Sequence, residues 1–449
     1  MLPLALILHG MGARVAGSDR SRDQGRTPEK FAWLESLGFM LFPQDGSGMT
    51  SAEQVLVASA AVEDTVPEVI RATALGCARM SRAELLSTLF NAAGQGIAVG
   101  GTSGKSTVTG MIGWILTAAG LDPTIMNGAV MKNFVALEAP FASARVGAGA
   151  AFVSEVDESD GSIALYAPTI AVLNNVSLDH KSLEELRQLF GDFLARAQTA
   201  VVNADDPESM ALVGHAKRVI TFGLDPEADI SVEAGSIQEG PTTISAKAID
   251  RRLGEVCPLE LRVPGRHNLA NALAALAATV AAGLPFADAV QHVGGFAGLA
   301  RRFDIVGTSP SGVTVIDDFG HNPEKVAATL STLKTHPGRV IAFFQPHGYG
   351  PLRQMGHELA EVLASRLAPD DVTILCDPVY FGGTVDRSTG SERIAELVQA
   401  HGGTAHYIPA RDDAADRIVE IARPDDRIVV MGARDDTLAL FARSILERL

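Results

Sequence analysis

A chain of 449 residues with 47% hydrophobic and 20% charged residues is too long for one ordinary core and implies two or three globular domains. Its formal net charge of −16 excludes a long-range attraction to nucleic acid or to an anionic membrane, although an acidic protein still binds phosphates locally. The three cysteines, Cys77, Cys257 and Cys376, lie far apart with no CxxC spacing, so they read as reduced thiols packed as small hydrophobes.

The opening run Leu2–Met11 has neither a basic leader nor a convincing cleavage site, and no stretch reaches membrane-spanning length, so the expected compartment is the cytoplasm. Strands are expected at 14–19 and 54–59, with a helix from Pro67 to Leu75 and a further short strand beyond it. Strands alternating with helices predict a doubly wound parallel sheet for residues 1–92.

A second domain is expected over 93–300. Its apolar run Ile97-Ala98-Val99 meets Gly101-Thr102-Ser103-Gly104-Lys105-Ser106-Thr107, after which apolar residues recur at 108, 111, 112, 115, 116 and 119. That is a strand, a glycine loop and an amphipathic helix. Glycines let a backbone fold around a polyphosphate, and the helix N-terminus turns free N–H groups toward it. Lys105 reaches terminal phosphates, and the Ser106 hydroxyl suits a magnesium ion. The strict P-loop pattern requires glycine where this chain has Val99. Further strands are expected at 151–154, 170–173 and 200–203, then an antiparallel patch within 228–264 and one long buried helix over 269–290. A third α/β domain, 301–449, shows strands at 313–317, 339–344, 371–377 and 427–431, with helices at 324–333 and 359–367 between them.

Six ordered motifs resemble the Mur ligases, the ATP-dependent amide ligases of peptidoglycan synthesis, over nearly the whole length. They are the 101–107 loop, Glu155-Val156-Asp157-Glu158-Ser159-Asp160, the segment from Asn174-Asn175 to Asp179-His180, 264–271 with Asn268 and Asn271, Arg301-Arg302-Phe303, and 317–323 from Asp317-Asp318 to Pro323. Gln345-Pro346-His347 adds a likeness to the family's alanine-adding branch.

The resemblance implies an α/β fold of three domains: an N-terminal Rossmann-like one (1–92) for a UDP-sugar-type substrate, a central P-loop-type ATPase (93–300) and a C-terminal Rossmann-like ligase domain (301–449). It implies ATP and Mg2+ as cofactors, with a small-molecule carboxylate and an amino acid as partners. Lys105, Glu155 and His180 would be catalytic, with Ser106, Glu155 and His180 on magnesium. Gly101 through Thr107, Asn268, Asn271, Arg302 and Asp317 would hold ATP, and His347 and Arg353 the substrates. Asn268 and Asn271 equally suit a helix cap, and acidic residues 157 and 158 equally suit a structural role.

The chain departs from that pattern in three places. It begins at the helix that follows the family's first strand and glycine loop, so the first sheet would have a gap unless 4–8 is extended. Gly348 and Pro351 stand where the branch carries arginines, and Arg434 where a small residue is usual. The alternatives are therefore an amide ligase acting on a non-UDP carboxylate and a non-catalytic nucleotide-binding homologue. Oligomeric state is not readable.

Overall fold

The computed structural model describes residues 1–59, 62–177, 181–379, 386–433 and 435–449. The chain forms two compact units. The first comprises residues 1–238, 244–262 and 268–297; the second comprises 239–243, 263–267 and 298–449.

In the first unit, Leu2–Gly10 is helical, with proline in its first turn where a missing N–H costs nothing, so the stretch 4–8 is not extended. It buries Leu4 and Ile7, three residues apart on one face. The doubly wound sheet expected over 1–92 is corrected to two separate two-stranded parallel sheets. Ala16–Ser18 pairs with Met40–Phe42, and Val55–Ala58 pairs with Ala78–Ser81. Strands of three and four residues leave few ladder bonds, and among the described residues no strand bridges the two pairs.

The rest of this unit is built on a mixed sheet whose centre is Gln95–Gly100. It lies parallel between Ala151–Glu155 on one side and Ile170–Leu173 on the other. Thr199–Asn203 and Val219–Phe222 extend the sheet past Ile170–Leu173. The antiparallel patch appears as Ile230–Val232, Ile244–Asp250 and Glu255–Leu261. Each central strand is buried along nearly its whole length, as a parallel sheet covered on both faces requires. The single helix expected over 269–290 is corrected to two, Arg266–Ala281 and Phe286–Val293. Gly283 at φ +100° turns the chain left-handed, and Pro285 cannot continue the first helix.

In the second unit Thr314–Asp318, Arg427–Gly432, Val340–Gln345, Val372–Leu375 and Ala405–Tyr407 run parallel in that spatial order, with Asp304–Thr308 antiparallel at the edge. Strand Val340–Gln345 shows why both faces are covered. Val340, Ala342 and Phe344 enter one core, while Ile341 and Phe343 enter the other. The helix foreseen over 359–367 begins ten residues earlier, spanning Tyr349–Arg366. Among the described residues, no helix is long and apolar enough to cross a membrane.

Candidate active site

Register places the first cluster. Val99 pairs with Glu155, and Gly100 pairs with Leu173, so three parallel strands end together. The glycine loop, the Glu155 carboxylate and the Asn174-Asn175 pair all emerge from that carboxyl edge, where ligands of such sheets bind. Helix Lys105–Ala118, with Gly104 as its N-cap, begins within the 101–107 segment and aims its first N–H groups back across the glycines.

Gly101 (φ +129°) and Gly104 (φ +79°) adopt backbone conformations that other residues resist. A Cβ on Gly104 would sit 2.3 Å from Asn174 Nδ2 and 2.6 Å from Asn271 Oδ1. The two asparagines pin the loop. Asn175 Oδ1 accepts from Thr102 Oγ1 (2.9 Å) and Ser103 N (2.8 Å), and its Nδ2 donates to Ser103 Oγ (2.9 Å). Asn174 Nδ2 donates to Ser103 O (2.9 Å) and to Asn271 Oδ1 (3.2 Å). Asn268 and Asn271 lie buried inside helix Arg266–Ala281, past its start, so neither is its N-cap.

Ser106 Oγ donates to Glu155 Oε2 at 2.6 Å, and Asn127 Nδ2 donates to Ser106 O at 2.9 Å. A Cβ on Gly128 would fall 2.2 Å from Glu155 Oε1, so the glycine leaves open the space beside that oxygen. Lys105 Nζ donates to Gly101 O (2.6 Å) and to Glu158 Oε2 (2.8 Å) and Oε1 (3.1 Å). A hydroxyl, a carboxylate and unfilled space beside them are the hard-oxygen donors that suit Mg2+. No group of three His, Cys, Asp or Glu residues that could hold a metal occurs among the described residues; magnesium commonly keeps waters and shares one or two carboxylates with phosphate oxygens.

The second unit carries the remaining candidates at the carboxyl edge of its own sheet. Arg301, at φ +61°, donates through its guanidinium to Gly432 O (2.9 Å) and Asp435 O (3.1 Å), and lies 3.5 Å from the Asp317 carboxylate. The Arg302 guanidinium lies 4.5 Å from the Phe319 ring centroid. Burial pushes the Asp317 carboxyl up to about 6, against the opposing pull of Arg301. Asp318 is a structural brace: it accepts from Phe303 N (2.7 Å), Gly320 N (2.8 Å) and Thr329 Oγ1 (2.9 Å).

His321 and His347 meet edge to face at 5.0 Å. Burial, then the Lys325 cation, pushes His321 down to about 3, so it is neutral, with Nδ1 donating to Phe319 O at 2.8 Å. Arg353 donates to Asp386 O at 2.6 Å and faces its carboxylate at 3.3 Å. His180, Asp179 and Arg434 lie outside the described residues.

Three family models match in order. They are the Mur ligase family catalytic domain over 1–93, the Mur ligase middle domain over 99–279, and the Mur ligase glutamate ligase domain over 301–434. The UDP-N-acetylmuramate–L-alanine ligase of Agrobacterium fabrum is 33% identical over 97% of this chain and 92% of its own length. That of Pelotomaculum thermopropionicum is 33% identical over 96% and 92%. The chain belongs to the Mur ligase family.

Among solved Mur ligase structures, the UDP-N-acetylmuramate–alanine ligase of Thermotoga maritima superposes with a TM-score of 0.83 at 23% identity, covering 100% of this chain and 96% of the other. A murein peptide ligase from Psychrobacter arcticus gives 0.72 at 22%, with 100% and 96% covered. These likenesses establish the three-domain α/β architecture. Mur ligases are ATP-dependent enzymes that form C–N bonds, and this chain is one of them.

Sequence reasoning missed Asn127, Gly128 and the bracing by Asn174 and Asn175 as parts of the cluster around the glycine loop and Glu155. The asparagine pair carried a signal, standing directly after a strand parallel to the loop's own. Asn127-Gly128 carried none, because nothing local ties it to Glu155.

Proposed function

We propose that this Mur ligase activates the carboxylate of UDP-N-acetylmuramate with ATP and joins it to L-alanine. A carboxylate is a poor electrophile, and two anions must meet before phosphoryl transfer. Neutralising charge therefore matters more than a protein nucleophile. The loop N–H groups and Lys105 would hold the terminal phosphates, while Ser106 and Glu155 would hold a magnesium ion. That ion supplies charge neutralisation between nucleotide and acid.

The γ-phosphoryl group passes to the carboxylate oxygen, giving an acyl phosphate and ADP. The neutral amine then attacks the acyl carbon, a C–N bond forms, phosphate leaves and the amine's proton is lost. Asn268, Asn271, Arg302 and Asp317 are assigned to the nucleotide, His347 and Arg353 to the substrates, and His180 to a second magnesium or the substrate carboxylate. Residues 1–92, 93–300 and 301–449 are the functional domains, working in the cytoplasm. The observation carrying this reading is the 2.6 Å Ser106–Glu155 contact at the mouth of a glycine loop braced by Asn174 and Asn175.

A second reading, in which the activated acid is not a UDP-sugar, draws on the two unjoined sheets of the first ninety residues and on Gly348 and Pro351. Phosphate release from ATP separates the two. Release with UDP-N-acetylmuramate that requires L-alanine supports the first. Absence of release with that acid and every amino acid, but release with another carboxylate, replaces it with the second.

A further inference from the structure

We propose that Glu158 is a positioning residue that holds the Lys105 ammonium folded over the loop until nucleotide arrives, and that this grip lowers nucleotide affinity. The inference rests on the reading of the 101–107 loop as the phosphate cradle. Glu158 is a carboxylate only 5% exposed, and both of its oxygens accept from Lys105 Nζ, at 2.8 and 3.1 Å. Gly101 O takes a further donor of the same ammonium at 2.6 Å. An ammonium has three N–H donors, and these acceptors engage it on the loop itself.

The acidic loop after Ala151–Glu155 thus supplies two carboxylates with different tasks. Glu155 faces the Ser106 hydroxyl, whereas Glu158 faces the lysine. Glu158 occupies the cation that a phosphate would otherwise use. Nucleotide binding must then exchange a charge-assisted hydrogen bond to the carboxylate for one to phosphate, so part of the lysine's attraction is already spent. The same contact keeps a long, flexible side chain ordered and spares a buried carboxylate from standing unpaired.

Binding of ADP to the full-length protein, measured calorimetrically in EDTA so that no metal at Glu155 contributes, tests this. Glu158→Gln keeps the shape and an acceptor for Lys105 but removes the charge. ADP is expected to bind tighter by on the order of tenfold, the ratio for one charge-assisted hydrogen bond no longer competed for. Glu158→Ala removes the competing acceptor as well as the charge, so it should tighten ADP at least as much as glutamine does. Glu158→Asp, a shorter acid that avoids burying a neutral amide, should shift affinity in the same direction by a smaller factor.

In a Lys105→Met background the effect of Glu158→Gln should collapse, because the carboxylate acts through the lysine. Unchanged or weaker ADP binding by both Glu158→Gln and Glu158→Asp overturns the proposal, as does equal tightening with and without Lys105. Lys105→Met that binds ADP as well as the parent protein refutes instead the reading of the loop on which the proposal stands.

Discussion

Replacing Gly128 with alanine places a methyl carbon 2.2 Å from Glu155 Oε1 and 3.1 Å from its carboxyl carbon. Nonbonded contacts of this kind settle near 3.5 Å, so the carboxylate must retreat by roughly 1 Å. The obstructing atom is the free end of a flexible side chain and Gly128 itself is exposed, so global stability should fall by less than about 1 kcal/mol. The Ser106–Glu155 hydrogen bond, 2.6 Å long, has no such slack and is broken by the retreat. Disturbing an oxygen beside a metal site costs about 10- to 100-fold in metal affinity. Steady-state phosphate release titrated with MgCl2 should show half-activation displaced upward by that factor, with the melting temperature nearly unchanged. An unchanged magnesium dependence in a folded Gly128→Ala protein would refute the assignment of Ser106 and Glu155 to the ion.

Asn175→Ala removes the hydrogen bonds that fix Thr102 and Ser103, and should raise the KM for ATP by about tenfold or more while leaving overall stability within about 2 kcal/mol; a KM within twofold of the parent would show that the loop holds its shape without the asparagine. Lys105→Ala should abolish turnover with every substrate pair, which single-turnover phosphate release would detect; residual activity near the parent level contradicts the role given to the lysine. Asp317 has its folded pKa raised from 3.8 to about 6, so its contribution to stability is full below the unfolded value and is lost as pH rises through about 6. Denaturant titrations between pH 4 and 7 should therefore differ in slope between the parent and Asp317→Asn, by an amount approaching about 3 kcal/mol across the window; parallel curves would mean that Asp317 ionises normally.

The parts of the site legible in the sequence are those made within one strand-to-helix connection. A glycine loop followed by Lys105 and Ser106 declares itself because the conformational freedom and the charges are adjacent, and Glu155 follows because a parallel strand ends in acid. The braces were hidden for a physical reason. Asn174 meets Asn271 across 97 residues of chain, and Gly128 meets Glu155 only once the sheet is assembled. Periodicity gave the four inner strands of the second unit, since strands such as Val340–Gln345 are buried on both faces and read as continuous apolar runs, but it missed the edge strands Asp304–Thr308 and Ala405–Tyr407 and the helices Ser391–Ala400, Arg411–Ile421 and Leu438–Arg448. It failed over the first ninety residues, where strands of three and four residues carry too little pattern to show that they split into two pairs. It also ran two helices together, because Gly283-Leu284-Pro285 interrupts a stretch that is apolar on both sides.

The central claim is that an acid is activated as its acyl phosphate before the amine adds. Supplying UDP-N-acetylmuramate labelled with oxygen-18 in its carboxylate, together with ATP and L-alanine, tests it directly. One labelled oxygen should appear in each phosphate released, because the bond broken lies between the acyl carbon and that oxygen. Amide product accompanied by unlabelled phosphate would contradict the account.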